Sequence, residues 1–107
     1  MFCKIVEGKL PAKVREETKN VIAFDSIDPI ATTHIIIIPK EHIVSFIDIQ
    51  KSHHETIIDM MEVINKLIQA RDISAGYKII VNGGKYQVVK HLHWHLVGGK
   101  LGELNAL

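Results

Sequence analysis

Residues His91-Leu92-His93-Trp94-His95-Leu96-Val97 alternate imidazole with apolar side chains, and this alternation constrains the fold more than any other feature of the chain. In an extended strand successive side chains point to opposite faces. The three rings would then share one face, about 6.6–7 Å apart along the strand, while Leu92, Trp94 and Leu96 share the other. The segment predicts a strand with a core on one side and a reactive surface on the other. Packing is a poor reason for three rings in strict alternation, because a buried face of that kind carries several polar nitrogens that each need a partner. Two chemical readings stand beside packing. The rings could reach one metal ion through their nitrogens, or they could act in catalysis, where imidazole changes protonation near neutral pH and attacks as a neutral nucleophile.

Composition limits the rest. A chain of 107 residues can bury one modest core, and 47% hydrophobic with 23% charged residues shows no shift that would mark a second domain, so one domain over 1–107 is expected. A net charge of +1 gives no electrostatic case for nucleic acid or a membrane surface, and any phosphate recognition must be local. Cys3 is the only cysteine, which excludes an intramolecular disulfide and a cysteine-rich zinc site and points to a reducing compartment. The segment Met1–Lys9 is broken by charges, and the purely apolar run Ile35–Ile38 is far shorter than the ~20 residues that span a bilayer. A soluble, cytoplasmic protein is expected.

Along the chain, a turn or short helix near Phe2–Glu7 precedes strand-like Lys13–Glu16 and Val21–Phe24. Thr32–Ile38 is rich in β-branched residues and ends at Pro39; its four consecutive isoleucines predict a central strand covered on both faces. Ser52 and Glu55 fit a capping box opening a long amphipathic helix through Ile57, Met61, Ile64 and Ile68, which ends near Ser74 with Gly76 as its stop. His53 and His54 fall in its exposed first turn and receive no role. Gly76–Asn82 reads as a strand, Lys85–Lys90 as a loop, and Gly98-Gly99 as the close of the histidine strand. The connection between these last two strands is too short for a parallel crossover, so they pair antiparallel.

Aligned histidines suit phosphoryl or nucleotidyl transfer, with one ring attacking phosphorus while its neighbours manage protons and charge. His93, flanked on both sides along the face, is the natural nucleophile, and His95 would then stand near the phosphate or leaving group. Attack requires a neutral ring with one nitrogen held as donor, and the carbonyl of His91 is a suitable acceptor. Asn82-Gly83-Gly84 and Gly98-Gly99 flank the strand and permit close approach of backbone N–H groups to phosphate oxygens, although ordinary turns also explain such pairs.

The stretch His91–Val97 resembles the signature of the histidine triad (HIT) superfamily throughout its length. Phe2–Ala12 looks like the entry segment of the Hint-like, purine nucleoside phosphoramidase-like branch, and Thr33-His34 through Ile38-Pro39-Lys40-Glu41-His42-Ile43 is similar to the segment carrying that branch's fourth histidine. The resemblance implies an α+β fold with a five-stranded antiparallel sheet, one long and one short helix, and a homodimer that extends the sheet. It also implies hydrolysis of purine nucleoside 5′-phosphoramidates or acyl-nucleotides without a cofactor. His93 would form a nucleotidyl-histidine, His95 would contact the phosphate and bridging atom, His91 would orient His93, and His34 would join the proton network. Asn82 and Gln87 would lie beside the phosphate, Phe24 and Ile27 would wall the base pocket, and His42 would stabilise a loop.

The chain departs from that pattern in places. Ser26 replaces the aspartate usual at the ribose, and keeps a hydrogen bond without the charge assistance of a carboxylate. Asp25, one position away, faces the opposite side if extended. Val88 stands where a serine commonly follows the glutamine and offers only its backbone N–H to a phosphate. With a single cysteine, no structural zinc is expected. A nucleotide-binding regulatory or scaffold protein with weak incidental catalysis is the alternative, and a metal hydrolase is a third reading.

Overall fold

A computed structural model describes Gly8 and residues 12–101. Its elements run β1 (Val14–Glu17), β2 (Val21–Asp25), β3 (Ala31–Pro39), α1 (His54–Ala70), β4 (Tyr77–Val81) and β5 (Trp94–Leu101), with short 3-10 turns at Phe46–Asp48, Lys51–His53 and Gly84–Tyr86. The expected short helix near Phe2–Glu7 lies outside the described residues. All five strands pair antiparallel in the order β1-β2-β3-β5-β4, so the isoleucine strand is the middle one. This is the α+β architecture expected of the chain.

The period of two in β3 sorts its isoleucines between two cores. Ile35 and Ile37 join Val21, Ala23, Trp94 and Leu96 under the helix residues Met60, Val63, Ile64, Leu67 and Ile68. Ile38, with Ile36 packed alongside, joins Ile22, Phe24 and Val89 on the other face. Ile35, Ile37, Met60 and Leu96 are fully buried, each contributing on the order of 1.5–3 kcal/mol of transfer free energy. Because cross-strand partners share a face, the pairings Ile36↔His95 and Ile37↔Trp94 put His95 on the side away from the helix and Trp94 beneath it.

Strands β1 to β4 fall within a residue of their expected bounds, whereas the ends of the helix and of the histidine strand differ for local reasons. The helix is entered through the 3-10 turn, so the capping box is formed by Gln50 and His53 rather than Ser52 and Glu55. The backbone N–H of Gln50 donates to His53 Nδ1 at 2.9 Å, and His54 Nδ1 donates to the Lys51 carbonyl at 2.8 Å, so neither ring is merely solvated. At the other end, Asp72 takes a left-handed conformation (φ 55°) and Ile73 N–H donates to Ile68 O. This Schellman-type stop closes the helix at Ala70, ahead of Ser74 and Gly76.

The histidine strand itself begins at Trp94, leaving His91 and His93 in the extended approach to it. It also continues through Gly98-Gly99 to Leu101. Thr33 pairs with Gly98 but Ala31 with Leu101, so β5 carries one extra residue, and Gly99 at φ 72° absorbs it as a bulge. Gly98 is required for a different reason: a Cβ there would lie 2.6 Å from Ile73 Cδ1 and 3.2 Å from the Gly76 carbonyl.

Candidate active site

The histidines are held by β3 and its flanking backbone. His91 is buried, and its Nε2 donates to the carbonyl of Pro39, the last residue of β3, at 2.9 Å. The His42 ring meets it edge-on at 4.8 Å. The carbonyl of His91 in turn accepts from His93 Nδ1 at 2.8 Å, as the sequence suggested. Leu92 N–H donates to the Ile43 carbonyl, which fixes the approach to the strand.

A second chain of hydrogen bonds starts in the loop before β3. Ile30 N–H donates to His34 Nδ1 at 3.1 Å, and His34 Nε2 stands 2.9 Å from His95 Nδ1. His34 lies diagonally across from His95 in the β3·β5 register, with ring centroids 5.1 Å apart. His93 and His95 are also 5.1 Å apart, closer than the strand repeat because His93 precedes the regular strand.

These partners assign the tautomers. A carbonyl only accepts, so His91 carries its proton on Nε2 and His93 on Nδ1. A backbone N–H only donates, so His34 Nδ1 is bare, its Nε2–H donates to His95 Nδ1, and the proton of His95 is on Nε2. Two neighbouring rings therefore present opposite functions: His93 Nε2 carries a lone pair and His95 Nε2 carries a proton.

Electrostatics favour the neutral form of three of these rings, His95, His34 and His91. Burial pushes the His95 imidazole down to about 4, with the charges of His93 and His34 adding to the effect. Burial also lowers His34, and lowers His91 against the opposing pull of the Pro39 carbonyl. Unprotonated imidazole is the form that can attack an electrophile.

The other sequence candidates are distributed around this centre. Val81 pairs with Trp94, which puts half-buried Asn82 level with His93. Phe24 is buried with Ile22 and Ile38 on the histidine side of the sheet. Ser26 N–H donates to the His34 carbonyl and Ser26 Oγ accepts from Asp28 N–H. Ile27 and Val88 are each 89% exposed. Gln87 is buried, and its amide nitrogen donates to the carbonyls of Val44 (2.6 Å) and Val89 (2.9 Å), bracing the loop before the triad. Asp25 pairs with Ile35 and so faces the helix side, where the Arg15 guanidinium grips both its oxygens and holds its carboxyl below the usual range. Among the described residues, no three His, Cys, Asp or Glu side chains are grouped to hold a metal ion.

Two participants had no signal in the sequence, the N–H of Ile30 and the carbonyl of Pro39, because backbone groups orient rings regardless of side-chain identity. Gln87 was singled out by resemblance for the phosphate side, but its bracing of the Val44 and Val89 carbonyls had no signal in the sequence.

A family model described as "Scavenger mRNA decapping enzyme C-term binding" matches residues 1–104. A HIT-like protein of Buchnera aphidicola subsp. Acyrthosiphon pisum is 37% identical over 103 residues, covering 94% of this chain and 90% of the relative. Adenosine 5′-monophosphoramidase HNT1 of Candida albicans is 32% identical over 106 residues, covering 94% of this chain and 70% of that protein. Among solved structures, a HIT family hydrolase from Legionella pneumophila Philadelphia 1 superposes with a TM-score of 0.90 at 40% identity, covering 94% of this chain and 92% of the other. The signature carried by His91, His93 and His95, the fold that displays it and these likenesses together establish that the chain belongs to the histidine triad superfamily.

Proposed function

We propose that this protein hydrolyses purine nucleoside 5′-phosphoramidates or acyl-nucleotides through a covalent nucleotidyl-histidine at His93. The observation that carries the reading is the pair of opposed tautomers. His93 Nδ1 is held by the His91 carbonyl and His95 Nδ1 accepts from His34, leaving an attacking lone pair beside a proton donor. The His93 Nε2 lone pair attacks the α-phosphorus, the bond from phosphorus to the leaving nitrogen or acyl oxygen breaks, and the His95 Nε2 proton passes to that atom. Water then attacks phosphorus and gives a proton back to His95 Nε2, the bond to His93 breaks, and nucleoside monophosphate leaves. Preorganised donors in a site that excludes water are worth more than the same groups in solvent. The monophosphoramidase relative supports the substrate class. In this reading Asn82 lies beside the phosphate, while Phe24, Ser26 and Ile27 form the nucleoside side. Gln87 and Val88 shape the loop above it, no cofactor enters, and residues 1–107 act as one cytoplasmic catalytic domain.

A homodimer belongs to the same proposal. β4 is an edge strand, and its residues Tyr77, Ile79 and Val81 share the face of Trp94 and Leu96 yet are exposed. Ile58 and Met61 of α1 are exposed as well, on the flank turned away from the Asp59 and Lys66 contacts with the β1–β2 side. An open edge beside apolar surface is the feature a second copy would cover by extending the sheet.

The test is hydrolysis of adenosine 5′-phosphoramidate by wild type and His93→Gly in chelator, with intact-mass detection of an adenylated protein after rapid quench. Turnover and an adduct in wild type alone are expected. Equal turnover in His93→Gly, or none in either, would sink the proposal.

A further inference from the structure

On the helix side of the sheet, α1 stops at Ala70, with Arg71 as the next residue. A cleft of about 130 Å3 opens there, walled by Arg15, Asp25, Ser26, Thr32, Thr33 and Arg71. One water needs ~10–15 Å3 by a comparable measure, so there is room for a multi-atom ligand. Asp25 faces this side, opposite the ring of His95, as its pairing with Ile35 requires.

The walls carry two guanidinium groups against one carboxylate. Arg15 takes both oxygens of Asp25 through Nε at 2.9 Å and Nη2 at 2.5 Å, and so neutralises it in a bidentate pair. Arg71 approaches the same carboxylate only to 3.8 Å, beyond hydrogen-bond reach. Among the described residues the Arg71 guanidinium makes no hydrogen bond, yet about a third of its side-chain surface is exposed at the wall of a concave site. Around it stand the hydroxyl-bearing residues Ser26, Thr32 and Thr33. A guanidinium fork held only by a long ion pair, with no hydrogen bond of its own, among hydroxyl groups is the chemistry that recognises a carboxylate or phosphate.

We infer that this cleft is a second binding site, for a small oxyanion of the phosphate or carboxylate class, seated on Arg71 with the Arg15–Asp25 pair as its fixed wall. Arg15, Asp25 and Arg71 lie across the sheet from His93 and His95, the cleft meets the proposed nucleoside site only at Ser26 and His34, and anion binding on Arg71 does not depend on the reaction proposed above. Thr33 adjoins His34, and His34 also borders the cleft, so the ligand would bear on the strand that positions the histidine chain.

The test is a titration of the full chain with inorganic phosphate, and separately with acetate, against chloride at equal ionic strength. Amide and arginine Nε resonances are followed by NMR, which separates the cleft from the histidine face. Saturable shifts at Thr32, Thr33 and Arg71 are expected, and the tighter of the two anions identifies the class. Arg71→Gln should weaken that binding about ten-fold or more, and Arg71→Lys, which keeps charge but loses the fork, by less. Unchanged dispersion elsewhere in the spectrum verifies the fold, and Arg71→Lys decides alone if Arg71→Gln does not fold. Shifts no larger than with chloride, shifts confined to the His93 and His95 face, or equal affinity in the folded variants would each overturn the assignment.

Discussion

The acid sensitivity of the fold should trace in large part to one ring. His95 is depressed from 6.5 to about 4 by burial, so in the window between those values the unfolded chain binds its proton and the native chain does not. Stability rises with pH wherever the unfolded state holds more protons. The His95 term is therefore intact above about 6.5, is lost as pH falls toward about 4, and changes no further below that. At 1.36 kcal/mol per unit the whole shift corresponds to about 3.4 kcal/mol. The ring keeps some contact with solvent, and screening together with the stop at pH 4.5 reduces the observable part to about 2 kcal/mol. The perturbation is His95→Asn, whose Oδ1 can still accept from His34 Nε2–H but cannot titrate. Urea unfolding at pH 7 and pH 4.5, at fixed protein concentration and ionic strength, should show wild type losing about 2 kcal/mol more than the variant, with m-values unchanged. Other acid-sensitive groups, including the Arg15–Asp25 pair, are common to both proteins and cancel. If the two lose stability equally within ~0.5 kcal/mol, the assignment of that burial penalty to His95 is refuted.

Three further outcomes follow from packing and bracing. Gly98→Ala should cost about 1–3 kcal/mol by overpacking, since the new Cβ meets Ile73 and the Gly76 carbonyl, and a melting temperature equal to wild type would contradict that contact. Gln87→Ala leaves the Val44 and Val89 carbonyls without their amide donor; a loss of about 1–3 kcal/mol is expected, with faster hydrogen exchange across residues 84–90. Met60→Ala removes a fully buried side chain from the centre of α1, and its urea midpoint should report a loss of about 2–5 kcal/mol.

Periodicity made the frame legible. The isoleucines of β3 alternate between two cores, and the strand lies at the centre of the sheet. The buried face of α1 was readable in part: Ile64 and Ile68 of the spaced set are buried, but Met61 is exposed and the fully buried methionine is Met60. What escaped was decided by backbone hydrogen bonds rather than by side-chain pattern. The helix stop at Asp72 depends on a left-handed residue that is not glycine, while Gly76, the conventional signal, begins the next segment. The capping box moved to Gln50 because an imidazole can serve as its acceptor, a role the usual Ser-and-Glu pattern does not anticipate. In the site, the alternation found the reactive face and the His93–His91 bond, but it set all three rings within one strand. Instead His91 is a buried strut on Pro39, His93 precedes the strand, and His95 alone lies within it.

The hydrogen bond from Ile30 N–H to His34 has a mechanical meaning. A peptide N–H cannot reverse its polarity, so this contact survives only while His34 Nδ1 is bare. A second proton on His34 would set two donors against each other and push Ile30 away. The segment between Ser26 and Ile30 is thus latched to the ring at one end by that bond and at the other by Ser26 N–H on the His34 carbonyl. Charge at His34 would cost the Ile30 bond, so the neutral ring and the seating of the loop carrying Ser26 and Ile27 support one another.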